Sequence, residues 1–408
     1  MAFIKRINVR IPRDLLIISG LVVILVAIRV PLMPYINTDL AVYYLPWLRY
    51  LSDNDGLLGI KDLLTAYGSV KPAVYPPPMY YLLSMLSSFI GCFSPVVLVK
   101  STCVLFDILC AFAFYLIVRE IHPAGNKKYL AFVLAGLAPA AVIVSAHWGQ
   151  FDSIYCSFLL FMLYFLKKRS PNRAMVCFAT ALAFKYQALI LAPLLAVLFF
   201  RGVLSWKQLA VIPAVFFLWM VPAYIAGCPL AAPVIVLMNG AREFDALTMN
   251  APNLFALIPV GKSEPLALVG MAATAFVTGW MIWMASRKQA VFGEKQAVIF
   301  AMLAAMCIPY FLPRMHERYF YPAAVLSILL VFYVPRLKLI PLVLQCTGLL
   351  TYLHFLRGYE LVPLAVPAVV NGIAIIVLVR EFIQGLNDRV ETKPDPDRAK
   401  SVDSTPAL

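Results

Sequence analysis

The stretch that decides the fold reads AVIFAMLAAMCIPYFLPRMHERYFYPAAVLSILLVFYV, from Ala297 to Val334. Two apolar runs, 297–312 and 323–334, enclose Arg314, His316, Glu317 and Arg318. Charge at the end of a spanning segment is costly unless it meets water, a partner or a ligand. The flanks therefore ask for a membrane, and the enclosed charges ask for a site at its boundary.

Composition extends that pattern to the whole chain. Of its 408 residues, 62% are hydrophobic and 13% charged, whereas a soluble domain is about half apolar and about a quarter charged. The class is an all-α polytopic membrane protein. The net charge of +14 does not indicate nucleic acid, because Lys and Arg fall in short clusters between apolar runs. Most of the eight cysteines lie inside such runs and read as small core residues. The basic N-terminus leads into an apolar stretch from Leu15 to Val30 with no small-residue cleavage site after it, which reads as a retained first span.

The runs able to span or partly span are 14–34, 97–118, 129–146, 153–166, 174–184, 187–200, 208–226, 265–286, 296–312, 319–334, 339–356 and 362–379. Several fall short of the roughly 20 residues that a straight spanning helix needs. With about twelve crossings and the N-terminus inside, 23 of the 34 Lys and Arg residues lie in cytoplasmic segments, as the positive-inside rule requires. This holds if Tyr75-Pro-Pro-Pro-Met-Tyr-Tyr and the residues to Gly91 do not cross, so 76–91 reads as a half-inserted or surface helix. Residues 1–383 then form one transmembrane domain, with a first outer loop at 35–96 that carries amphipathic helices and a later one at 227–264. The polar tail, 384–408, reads as disordered and cytoplasmic.

The outer loops hold the unusual chemistry. Asp39 follows the first span directly; a carboxylate there either accepts a proton from a hydroxyl or, with Thr38, caps a surface helix carrying an interfacial Trp47. His147-Trp148-Gly-Gln150-Phe-Asp152 sits at a tight turn between spans. Its polar groups can bond sugar hydroxyls and Trp148 can stack on a sugar face, or the segment is a polar turn with an interfacial Trp. Lys185-Tyr-Gln187 interrupts an apolar run of 27 residues; it is an anion site if it lines a cavity and a snorkelling lysine if it tips a hairpin. Asp107 is a second intramembrane charge and reads as structural. In the opening stretch, Arg and protonated His suit a phosphate, with Glu317 orienting them; the alternative is a salt-bridged span boundary. No metal, ATP or nucleotide-sugar motif stands out. Asp53-Asn-Asp55 lies near Asp62 without further ligands in sequence, so a metal-independent site with no cofactor is expected.

Taken in order, these pieces resemble the GT-C superfamily of integral-membrane glycosyltransferases that use a polyprenyl-phosphate sugar. Among these are GPI mannosyltransferases, dolichol-pathway glucosyltransferases and bacterial relatives. The resemblance spans 35–322 and rests on Asp39, Tyr75-Pro-Pro-Pro, Asp107, Trp148-Gly-Gln-Phe-Asp-Ser153, Phe184-Lys-Tyr-Gln187 and Met315-His-Glu-Arg-Tyr-Phe-Tyr-Pro322. Val74 stands where the family often has an acid, and Arg318 where it often has Lys.

The resemblance implies an inverting hexosyltransferase that moves mannose or glucose from a polyprenyl-phosphate donor to a glycan, lipid or protein acceptor. Asp39 would be the base, and Lys185, His316 and Arg318 the donor-phosphate ligands. Tyr75, His147, Trp148, Gln150, Asp152, Gln187, Glu317 and Tyr319 would contact sugar or acceptor. The expected setting is the membrane lipid of a bacterial inner membrane, with the site on the periplasmic face, both termini cytoplasmic and no nucleic-acid partner. The rival class is a transporter or flippase of lipid-linked sugars.

Overall fold

The computed structural model describes residues 12–65, 71–242 and 245–388. It is 77% helical, and among the described residues its strand pairing is limited to Thr248–Met249 beside Met315–His316, with a single further bridge between Asn250 and His316. Among the described residues, seven helices are long and apolar enough to cross a membrane: Arg13–Leu32, Pro95–Ile121, Trp206–Ile225, Glu264–Ser286, Glu294–Phe311, Pro335–Arg357 and Ala365–Asn387. An eighth arises if Lys127–Gly136 and Pro139–Trp148, bent by 45°, count as one span. The bend falls at Pro139, whose ring and missing N–H interrupt the helical ladder. Of the other expected spans, Asp152–Lys167, Pro171–Phe184, Tyr186–Phe200 and Tyr321–Tyr333 are helical but shorter than a straight crossing needs.

Proline marks where many helices begin. Pro95, Pro171, Pro265 and Pro322 all occupy a first turn, where the missing N–H costs nothing and the ring pre-sets φ. The helices sort by burial. Only 11% of Arg13–Leu32 and of Trp206–Ile225 is covered, against 61% of Pro95–Ile121 and 72% of Glu294–Phe311. The last two form the centre, while Phe217, Leu218, Ile225, Leu268 and Phe276 are exposed on the periphery. An apolar periphery of this kind needs lipid rather than water.

The segment expected as the first outer loop builds a second core. Leu45–Asp53 and Pro77–Ser87 pack together, burying Leu48, Leu51, Tyr80 and Leu83. Pro77–Ser87 has only 11 residues and is too short to cross alone. Trp47 is not interfacial: it is fully buried, and its indole donates to the Lys71 carbonyl at 2.8 Å. Gly136 lets the first helix approach closely, because a Cβ there would sit 2.4 Å from Leu25. The C-terminal helix runs to Asn387, past the boundary expected at 384; the rest of the expected tail lies outside the described residues.

Candidate functional site

Asp39 begins the turn after the first helix. Asn37 is the residue that caps this turn, accepting from the Leu40 amide at 3.1 Å. Neither Thr38 nor Asp39 performs the expected capping, and the Asp39 carboxylate is turned inward. Its Oδ2 accepts from Trp148 Nε1 at 2.9 Å, from Arg318 Nη1 at 3.1 Å and from Gln150 Nε2. All three described bonds reach one oxygen, which leaves Oδ1 to meet a ligand. Gln150 is anchored in turn by the Tyr44 hydroxyl at 2.7 Å, which also bonds Tyr75 Oη at 2.8 Å.

A second pair lies beside the first. Lys185 Nζ donates to Asp152 Oδ1 at 2.6 Å, both side chains being buried. Arg318 Nε is 4.0 Å from Asp152 Oδ2, and neither atom has a hydrogen-bond partner. Asp39, Arg318, Asp152 and Lys185 therefore form one chain of alternating charge. Lys185 can occupy this position because the backbone leaves the helix there in an extended conformation.

Asp39, Arg318 and Lys185 border a cavity of about 1330 Å³, above the roughly 300–1,000 Å³ of a drug-sized pocket. Asp39, Tyr75, Gln150, Lys185 and Gln187 line it. So do His316, Glu317, Arg318 and Tyr319. Apolar side chains share the lining, among them Leu189, Ile190, Val236, Leu237, Met271, Ile308 and Leu312. The segment expected as the later outer loop also contributes to the lining. Thr248 pairs with Met315 and Met249 with His316, Arg314 N donates to the Leu247 carbonyl at 2.8 Å, and Asn250 Nδ2 holds the Thr351 carbonyl at 2.7 Å. Asn250 and Arg314 adopt left-handed φ values, 59° and 60°. Asn tolerates that region through its short polar side chain.

Three expected contact residues do not line the cavity. The Trp148 ring is fully buried, stacked on Phe355 at 4.7 Å and capped by Arg318 at 5.7 Å, so it does not offer a face to a sugar. It acts through its indole N–H on Asp39. The His147 ring stacks on Tyr35 at 4.1 Å. Asp152 is fully buried and taken up by Lys185.

Two roles within the opening stretch also change. Burial, together with Arg318 and Lys185, pushes the His316 imidazole well below its ordinary value, so it is neutral rather than the cation expected. Glu317 orients neither His316 nor Arg318: both its carboxylate oxygens lack a hydrogen-bond partner. Burial raises it to about 7, against the opposing pull of Arg318. Arg314, which also lines the cavity, pairs with Glu264.

The sequence reading missed Lys100. It is fully buried and donates to the carbonyls of Tyr35 at 2.5 Å and His147 at 2.6 Å. It thereby ties the Asp39 turn to the Trp148–Gln150 turn. A lysine inside the apolar run 97–118 was the available signal. His354, which lines the cavity with a buried Nδ1 lacking a partner, carried no such signal. Asp107, read as structural, pairs with Arg29. Among the described residues, no group of three or more His, Cys, Asp or Glu is placed to hold a metal. No family model and no curated protein matches the chain, so the functional reading rests on the geometry of this site.

Proposed function

We propose that this protein is an inverting glycosyltransferase that moves a hexose, mannose or glucose, from a polyprenyl-phosphate donor to a glycan, lipid or protein acceptor. The single observation that carries the reading is the Asp39–Arg318 pair on the lining of a large cavity that charged and apolar side chains share. A lipid-linked sugar phosphate needs that combination: a dry path for its tail, cations for its phosphate and a base for the attacking hydroxyl. The similarity of the motifs to polyprenyl-phosphate-dependent GT-C enzymes points the same way, and the reading takes a twelve-span arrangement with these motifs on the outer, periplasmic face.

The chemistry follows from the groups in place. The acceptor hydroxyl gives its proton to Asp39 Oδ1. Its oxygen attacks the anomeric carbon as the bond from that carbon to the phosphate oxygen breaks. The electron pair leaves with the lipid phosphate, and inversion results. Negative charge on the leaving phosphate falls beside Arg318 and Lys185, whose positive charges are fixed before reaction. Both cations have carboxylate partners in this state, so the phosphate competes with Asp39 and Asp152 for them. Taking Arg318 from Asp39 would free the base as the donor arrives.

The rival reading, a flippase, calls for charge continued through the opposite half of the membrane domain. Asp107, the intramembrane acid outside the site, is instead neutralised by Arg29. The test uses proteoliposomes holding labelled polyprenyl-phosphate hexose and a mixed acceptor fraction. Asp39→Asn is expected to lower transfer by about 10²–10⁴-fold while donor still binds. Wild-type protein that moves the donor between leaflets without transferring its sugar would overturn the enzyme reading.

A further inference from the structure

Three carboxylates border the two buried cations, and one of them stands apart. Asp39 meets Arg318 at 3.1 Å and Asp152 meets Lys185 at 2.6 Å. Glu317 is 1% exposed, lines the same cavity and takes no hydrogen bond on either oxygen from another described residue. Buried carboxylates are normally satisfied, and one left bare beside a cavity is completed by what the cavity binds. Its position narrows the choice of ligand. Glu317 adjoins Arg318 in the chain, with Cα atoms about 3.8 Å apart. A phosphate on Arg318 therefore carries its attached sugar within reach of Glu317.

Building on the glycosyltransferase reading above, we propose that Glu317 is the specificity-determining residue, accepting hydrogen bonds from two neighbouring hydroxyls of the donor hexose. A carboxylate offers two acceptor oxygens side by side, the arrangement that a vicinal diol complements. Inverting one hydroxyl, as between epimers, breaks one of the two bonds. The nearby neutral groups are occupied with each other, since Tyr319 is hydrogen-bonded to Gln187. The raised proton affinity of Glu317 fits a group whose ionised form is favoured only when donors arrive.

The test measures binding of three probes to the full-length protein in nanodiscs: polyprenyl phosphate without sugar, polyprenyl-phosphate mannose and polyprenyl-phosphate glucose. Wild type is expected to prefer one epimer. Glu317→Gln replaces two acceptors by one acceptor and one donor. It is expected to cut the epimer preference by about 10–100-fold, the value of a hydrogen bond to a charged group. The sugar-free phosphate should bind the variant at least as tightly as wild type. Glu317→Asp keeps the charge but withdraws it by one methylene, and should also lose the preference. Variants that retain the wild-type epimer ratio overturn the inference. Wild type that binds none of the three probes overturns the underlying glycosyltransferase reading, and the inference with it.

Discussion

Two buried charge clusters in this molecule differ in what they leave unpaired. In the first, Arg29 donates to Asp107 Oδ2 through Nε at 3.2 Å and Nη2 at 3.0 Å, and to the carbonyls of Leu25 and Gly136. Ser145 and Tyr321 donate to the same carboxylate. No side-chain polar atom of those four residues lacks a partner. In the second, around Asp39 and Arg318, Asp152 Oδ2, Arg318 Nε and both Glu317 oxygens are unsatisfied. Burial of charge is common to both clusters. Saturation separates them: the first is closed on itself and holds helices together, while the second faces a cavity and keeps bonding capacity for something else.

The largest expected effect tests the first cluster. Asp107→Ala leaves Arg29 buried without a counter-ion and should cost about 3–5 kcal/mol of stability, read from unfolding in detergent micelles. Donor affinity of the fraction that stays folded should not change. A cost below about 1 kcal/mol would erase the distinction between the clusters.

The next effect tests the second cluster through pH. Glu317 is held up from 4.5 to about 7. Between those values the folded chain binds its proton more tightly than the unfolded chain, so wild-type stability falls as pH rises through that window. Above it the full penalty applies, about 3 kcal/mol for a shift of this size. Glu317→Gln removes the titration, so its stability advantage over wild type should grow by that amount between pH 4.5 and 8. An advantage that does not vary with pH would mean Glu317 is not the buried, unsatisfied acid described.

The smallest effect concerns the brace between the two turns. Lys100→Met keeps the stem but leaves the Tyr35 and His147 carbonyls without their donor, at about 1–3 kcal/mol. Transfer should fall more than stability does, because the brace positions Asp39. Equal losses of both would make Lys100 a packing residue only.

The helices were legible because spanning depends on residue type over a window of neighbours: the expected runs 265–286 and 296–312 meet helices Glu264–Ser286 and Glu294–Phe311, within two residues at each end. The cavity residues were legible where charge interrupts such a window: Lys185 and Arg318 announce themselves by their cost. What could not be read was the partner each residue takes. Trp148 looks like a stacking platform in sequence, yet Phe355 and Arg318 cover its ring. His316 looks like a cation, but burial and two neighbouring cations hold it neutral. Glu317 next to His316 and Arg318 suggests an orienting contact that the backbone does not bring about.

By itself, then, the sequence determined an apolar helical chain with several membrane-length helices, and a small set of polar residues too costly to be idle. Those properties follow from local hydropathy and helical period, which neighbours in the chain define. Only the tertiary structure decided that Asp39 meets Arg318, 279 positions away, that Asp152 is spent on Lys185, and that Glu317 alone among the site's carboxylates is left without a partner. Hydrogen-bond partners are chosen within about 3 Å in space, and the packing of helices sets that distance without regard to spacing along the chain.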